Sequence, residues 1–406
     1  LGAPDHLALA REAVAKSLVL LKNEGSVLPI KPGARVLIAG PGADSMAMQA
    51  GGWTISWQGT DTRASDFPNG QTIGQALTAA VKQAGGDAML APDGVTSASV
   101  RPDVAIVVMG EDPYAEFQGD IATLAFQPRK GEEGLIDRLK QHGAKIVVVF
   151  LSGRPLYTNR LINKADAFVA AWLPGSQGQG VADVLIAAAD GKPKRDFSGR
   201  LSFPWPGDAH APITQPLWPA GYGLTYDAPA SVVQLSENPG VDLAASERAT
   251  QFFRKGIVPA PWHLNTGGLI TARAVDLSAQ EDARQFTWQG AGQLSVEGTP
   301  INLADQQDAA LLLDWRIDRV GAGPVLLATG EGKLNISRLL KSVRPGTIVQ
   351  SHIPLRCFAA AGTKLDRVGA PLRIEAQAGL SVTVRDIKLD TKVSHKAKGS
   401  CPSVMR

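Results

Sequence analysis

From residue 34 to about 226, short β-branched runs alternate with segments of helical period. The runs are "RVLIAG", "DVAIVVMG", "KIVVVFLSG" and "AFVAAWLPG", each apolar almost throughout, as a strand covered on both faces requires. Among them, "TIGQALTAAVKQAG", "GEEGLIDRLKQHG" and "GVADVLIAAAD" bring apolar residues round roughly every 3.6 positions. The alternation predicts a three-layer α/β/α sandwich around a mostly parallel sheet. Ahead of it, "HLALAREAVAKSLVLLKNEG" reads as one helix capped by Asp5, with Leu7, Val14, Leu18 and Leu21 on a stripe that needs a partner surface.

The period then changes. "DAPASVVQLSENPG", residues 227–240, is rich in turn formers and reads as a linker. Beyond it, "RQFTWQG", "GQLSVEG", "ALLLDWRID", "GPVLLATG", "TIVQSHIPLRCF", "LRIEAQAG" and "LSVTVRDIKL" alternate with period two and predict an antiparallel β-sandwich. The expected division is residues 1–230 and 231–406.

Length supports that division: 406 residues exceed one ordinary domain. Lys and Arg total 41 against 38 Asp and Glu, without a basic run or an aromatic–basic stretch, which argues against nucleic acid as a partner. No apolar stretch approaches the roughly 18 residues that span a bilayer. Cys357 and Cys401 have no metal-ligand spacing, so no metal site is expected. They are either two free buried thiols or one disulfide. The polar surroundings of Cys401 favour the disulfide, and with it an oxidising compartment. The chain opens on Leu1 and runs at once into a helix; a segment upstream is expected to have been removed.

Several chemistries drop out on motif grounds. "GPGAD" after the first run lacks the third glycine of a dinucleotide fingerprint, because Ser45 stands there. "LPGSQGQG" imitates a serine nucleophile elbow, but Pro174 holds a required glycine position. Neither a phosphate-binding G-x-x-x-x-G-K-[ST] nor an H-E-x-x-H stretch is present. No cofactor is expected.

Two loops remain. "AGGWTISWQG" sets Trp53 and Trp57 between glycines. The indoles either plug the core or offer a flat apolar surface on which sugar C–H faces stack, with Ser56 and Gln58 as polar partners. "GEDPYAEFQGD" carries Glu111, Asp112, Glu116 and Asp120 directly after an apolar run. A loop of acids is commonly just solvated. An aromatic platform beside a carboxylate, however, is what glycoside hydrolysis needs, and that reaction uses two carboxyl groups.

These stretches, together with "AREAVAKSLVLLKNEGSVLPI", "VVVFLSGRP", "VAAWLPGSQGQGVADVL" and "GRLSFPWP…LWPAGYGLTY", resemble the second domain of glycoside hydrolase family 3 over residues 1–227. The likeness is to its exo-acting β-glucan glucohydrolases and β-glucosidases. The remaining residues resemble the carbohydrate-binding-like β-sandwich appended to some bacterial members. The resemblance implies a retaining exo-β-glucosidase that removes terminal non-reducing β-D-glucosyl residues from β-glucosides or 1,3- or 1,4-linked β-glucan oligosaccharides. It makes Glu116 the general acid/base and Trp57 the clamp on the sugar beyond the cleaved bond. Glu111 and Asp120 take supporting places in the substrate-binding set, and Gln58 is placed there too. Trp53 belongs to the same set but is expected to pack rather than to form the platform. Gln177 departs from the family, where many members carry Glu. The nucleophilic Asp is expected on an N-terminal (β/α)₈ barrel of the same precursor, outside this sequence, so these residues alone are expected to be inactive. The expected address is periplasmic or secreted. The alternative is a non-catalytic carbohydrate-binding or barrel-partner module.

Overall fold

The computed structural model describes residues 2–406 apart from 61, 96–100, 117, 129–131, 242, 244–249, 260–261, 307, 391–400 and 405–406. The chain divides after Val241 into two compact units.

The first unit opens with α1 (Pro4–Ser17). Asp5 does not cap it. Ala3 holds the cap position without a side-chain bond, Pro4 opens the helix and Asp5 lies in its first turn, where its charge complements the helix dipole. The helix also ends earlier than its stripe. Leu18 is extended, and β1 (Val19–Asn23), all five residues of it buried, runs antiparallel along the edge of the sheet. A short continuous apolar run suits strand or helix equally by periodicity, and burial on both faces makes this one a strand.

The sheet continues with β2 (Arg35–Ala39), β3 (Asp87–Leu90), β4 (Val104–Gly110), β5 (Lys145–Leu151) and β6 (Ala167–Trp172), in the order β1-β6-β5-β4-β2-β3. All pairs among β2 to β6 are parallel. Side chains of β4 alternate between two cores. Val104, Ile106 and Val108 join one with α1, while Ala105, Val107 and Met109 join the other. The helices α2 (Met46–Ala50), α3 (Ile73–Gln83), α4 (Glu132–Gln141), α5 (Asn159–Lys164) and α6 (Gln179–Leu185) complete the outer layers. α3 and α6 contribute to the first core, α4 and α5 to the second. The three-layer α/β/α expectation holds, and β3, short and half exposed, is a further strand that the apolar pattern misses.

The connectivity makes a place for ligands. From β2 the chain moves outward to β3, then returns to β4 on the other side of β2. The loops leaving the carboxyl ends of β2 and β4 therefore part from each other, and such a switch point is where open α/β sheets bind ligands. A two-stranded ribbon, β7 (Trp205–Pro206) and β8 (Pro216–Trp218), follows. The Pro- and Ser-rich stretch after it is tied to the first unit. Asn163 bonds both backbone groups of Leu235, and Tyr157 and Asn159 donate to the Ser236 carbonyl.

The second unit is antiparallel throughout. Its strands are β9 (Gln251–Phe253), β10 (His263–Val275), β11 (Ala283–Glu297), β12 (Ala310–Arg319), β13 (Leu326–Thr329), β14 (Gly332–Asn335), β15 (Thr347–Pro354), β16 (Leu372–Ala376), β17 (Ser381–Asp390) and β18 (Ser403–Val404). β11 is one strand where the sequence suggests two, and it links the layers. Arg284–Thr287 pair with β17, and Gly292–Val296 pair with β16. The sheet thereby curls into the expected sandwich around Phe286, Trp288, Trp315 and Phe358. The buried indole N–H of Trp288 donates to the Gly292 carbonyl, and that of Trp315 to the Ser351 hydroxyl, as buried indoles require. Two short helices, α7 (Ser337–Lys341) and α8 (Leu355–Ala360), close the unit. The second replaces the end of the expected strand "TIVQSHIPLRCF", since Pro354 opens a helix. Cys357 of α8 is bonded to Cys401, with their Cα atoms 5.5 Å apart. The two-thiol alternative therefore falls away.

Candidate active site at the switch point

The loop after β2 and α2 runs from Gly51 to Gly59 and folds back on itself. The Trp53 N–H donates to the Trp57 carbonyl at 2.7 Å. Trp53 and Ile55 hold φ of 57° and 63°, a left-handed conformation uncommon for bulky side chains. Strain of this kind concentrates at functional sites. The consequence is that both side chains point outward. Trp53 is 69% exposed and Ile55 67%, so Trp53 is not the packing residue that the sequence suggests. The Trp53 and Trp57 rings lie 5.9 Å apart, inclined at 53°. They form an angled pair, not one flat platform.

The loop after β4 lies against this one. Gly52 meets it so closely that a Cβ there would stand 2.1 Å from the Tyr114 carbonyl oxygen. Glu116 is exposed near its tip. The indole Nε1–H of Trp57 donates to Glu116 Oε2 at 2.6 Å. Gln58 is 1% exposed, and its carboxamide accepts from the Ala115 N–H at 2.8 Å and donates to the Glu116 carbonyl at 3.1 Å. Ser56 serves its own loop, accepting from the Gly59 N–H. Glu116, Trp57, Gln58 and Trp53 are thus gathered at one place.

Glu111 lies beneath. Its carboxylate receives Arg154 Nη2 at 2.7 Å and Nε at 3.1 Å, and the Tyr114 hydroxyl at 3.1 Å. Ser152 Oγ is 3.1 Å from the same carboxylate. Arg154 also donates to the Gly119 carbonyl at 2.5 Å and lies 4.3 Å over the Tyr114 ring. One guanidinium therefore fastens the loop on both sides of Glu116. Burial first, then the Glu111 charge, pushes the Tyr114 hydroxyl well above its usual range. Sequence reasoning passes over Arg154, Tyr114 and Ser152. The available signal is the basic residue in "SGRP", at the carboxyl end of the strand next to β4. Asp120 is exposed on the same loop. Gln177 is buried elsewhere on this unit, donating to the Asn69 carbonyl. Among the described residues, no three of His, Cys, Asp and Glu are grouped to hold a metal ion, and no helix is long and apolar enough to cross a membrane.

Residues 18–226, about half the chain, match the glycosyl hydrolase family 3 C-terminal domain. The chain belongs to glycoside hydrolase family 3. Residues 258–389 match a second family, described as galactose-binding domain-like. Among curated relatives, a lysosomal beta glucosidase of Dictyostelium discoideum is 32% identical over 250 residues, covering 53% of this chain and 29% of that protein. A periplasmic beta-glucosidase of Salmonella typhimurium is 26% identical over 267 residues, covering 54% and 35%. The crystal structure of an exo-1,3/1,4-beta-glucanase from a Pseudoalteromonas species aligns with 97% of this chain and 52% of its own. The identity is 38% and the TM-score 0.57. This chain therefore spans about a third of the two curated relatives and about half of the solved glucanase. Its α/β unit carries the match to the family's C-terminal domain and its antiparallel unit the match to the galactose-binding domain-like family.

Proposed function

We propose that this chain is the acid/base-bearing part of a retaining exo-β-glucosidase that removes terminal non-reducing β-D-glucosyl residues from 1,3- or 1,4-linked β-glucans or small β-glucosides. The observation that carries the reading is Glu116, exposed at the switch point and hydrogen-bonded to the Trp57 indole. A nucleophilic Asp on an N-terminal (β/α)₈ barrel attacks the anomeric carbon while Glu116 protonates the departing oxygen. Glu116 then takes a proton from the water that hydrolyses the glycosyl-enzyme. Retention needs carboxyl groups about 5–5.5 Å apart, so the barrel has to bring its Asp to the rim formed by Trp53, Trp57 and Glu116. The Trp57 N–H stabilises the carboxylate left after proton donation by a charge-assisted hydrogen bond, and its ring supports the sugar beyond the cleaved bond.

The names of the relatives, beta-glucosidases and an exo-1,3/1,4-beta-glucanase, support the substrate class. The Cys357–Cys401 disulfide supports a periplasmic or secreted address. The test uses the enzyme with its barrel and a β-glucoside whose leaving group needs protonation. Glu116→Gln is expected to lower turnover by roughly 10²–10⁴-fold. Normal turnover by that variant would overturn the assignment. Sugar binding without turnover in the barrel-bearing enzyme itself would favour the non-catalytic module instead.

A further inference from the structure

We propose that Gln58 is a positioning residue for the acid/base, setting the backbone from which the Glu116 carboxyl group projects. The proposal rests on the reading of Glu116 as acid/base. Residues 111–115 belong to no helix or strand; the Glu111 N–H still donates to the Leu151 carbonyl, and the Ala115 and Glu116 carbonyls accept from the Gly119 and Gln118 N–H groups of a turn. The Gln58 carboxamide supplies what a neighbouring strand would. Its oxygen takes the Ala115 N–H and its nitrogen donates to the Glu116 carbonyl, two backbone groups on either side of one residue link. A planar amide bonded at both ends fixes orientation as well as distance.

Gln58 is itself held firmly. Its neighbour Trp57 is bonded through its carbonyl to the Trp53 N–H. On its other side, Gly59 packs so that a Cβ there would stand 2.3 Å from the Gly51 carbonyl oxygen. Trp57 and Gln58, consecutive in sequence, thus grip Glu116 by its carboxylate and by its backbone respectively. A sugar ligand needs accessible polar atoms, whereas Gln58 is 1% exposed and both ends of its amide meet the acid/base loop. Misplacing a reacting group by about 1 Å can cost on the order of a hundredfold in rate.

The test compares Gln58→Met, Gln58→Glu and Glu116→Ala in the barrel-bearing enzyme, each checked for folding by circular dichroism. Two glucosides are used, one with an alkyl aglycone and one with a dinitrophenyl aglycone, each with and without azide. The alkyl leaving group needs the acid, whereas the dinitrophenyl group leaves unaided. Azide replaces base-assisted water in the second step. Gln58→Met is expected to lower kcat/KM on the alkyl glucoside by about 10–100-fold, and on the dinitrophenyl glucoside by less than about threefold. Azide should raise dinitrophenyl glucoside turnover in proportion to the defect. Gln58→Glu retains the acceptor for Ala115 but turns the donor to Glu116 into a second acceptor facing the Glu116 carbonyl, so the same pattern is expected with an alkyl loss at least as large; this variant decides if Gln58→Met does not fold. Equal losses on both substrates without an azide effect, or a change in KM alone, would overturn the positioning role. If Glu116→Ala shows no leaving-group dependence and no azide rescue, the acid/base reading itself fails. If Glu116→Ala shows both and the Gln58 variants show neither, only the present inference fails.

Discussion

Trp57 and Glu116 come from the two loops that part at the switch point of the sheet, and the indole N–H of one donates to the carboxylate of the other at 2.6 Å. The bond couples the aromatic surface to the candidate acid/base. It gives Trp57 two separable contributions, an apolar face and a hydrogen-bond donor.

Trp57→Phe separates them, since it retains a ring and removes the donor. In the barrel-bearing enzyme we expect kcat on an alkyl glucoside to fall roughly tenfold, a fraction of the range for general acid–base assistance, with little change in KM. Trp57→Ala should raise KM as well. Equal kinetics for Trp57→Phe and the parent would show that the indole N–H plays no part.

Arg154 fastens the loop from below. Arg154→Met keeps the aliphatic stem but strands the mostly buried Glu111 carboxylate, whose side chain is 14% exposed. Removing one partner of a buried pair costs about 3–5 kcal/mol, and since Arg154 itself is 24% exposed we expect the lower end. Glu111→Gln should cost less, because Tyr114 and Ser152 still have a partner. In urea unfolding the double variant should lose less than the sum of the singles. Additive losses would mean that the two side chains act independently.

The parts of this molecule that the sequence discloses are those governed by burial on two faces. β2, β4, β5 and β6 are continuous apolar runs and read directly. β1 was hidden because Leu18 and Leu21 continue a helical stripe from α1, and β10 because most of it is exposed and interrupted by Gly267 and Gly268. At the site, the residue types disclosed Glu116 and Trp57. They did not disclose that Gln58 faces inward, that Trp53 faces outward, or that Arg154 braces the loop. Those facts depend on positive φ at Trp53 and Ile55 and on contacts between loops far apart in sequence. Local pattern does not encode either.

All four tyrosines lie in the first unit, and burial, the largest cause for each, raises Tyr114, Tyr157, Tyr222 and Tyr226 above the usual phenol value. An unfolded tyrosine begins to lose its proton near pH 10, while burial holds the folded ones' protons to higher pH. Above about pH 10 the unfolded chain binds fewer protons than the folded one, so stability falls as pH rises. An alkaline titration followed by tyrosinate absorbance and circular dichroism should show phenol ionisation and unfolding together. Reversible ionisation of all four tyrosines near pH 10 with the fold intact would contradict this.

Gly52 is where the two loops touch, and it tests whether their spacing matters to the chemistry. A Cβ there would stand 2.1 Å from the Tyr114 carbonyl oxygen and 3.0 Å from the Ala115 nitrogen. Both are backbone atoms, so relief requires the loops to separate. That displacement carries Trp57 and Gln58 away from Glu116, the residue that follows Ala115. Overpacking of this kind costs about 1–3 kcal/mol. Gly52→Ala is expected to show that destabilisation in urea unfolding and, in the barrel-bearing enzyme, at least a tenfold fall in kcat/KM on an alkyl glucoside. Gly134→Ala is the control. It lies within α4, where an added Cβ comes no closer than 3.4 Å to Arg138 Nη1, so it should stabilise by about 0.5–1 kcal/mol through helix propensity and leave kinetics unchanged. A Gly52→Ala enzyme with parental kcat/KM would mean that the acid/base tolerates movement of the aromatic loop, and that the Trp57–Glu116 bond is a consequence of packing, not a requirement of catalysis.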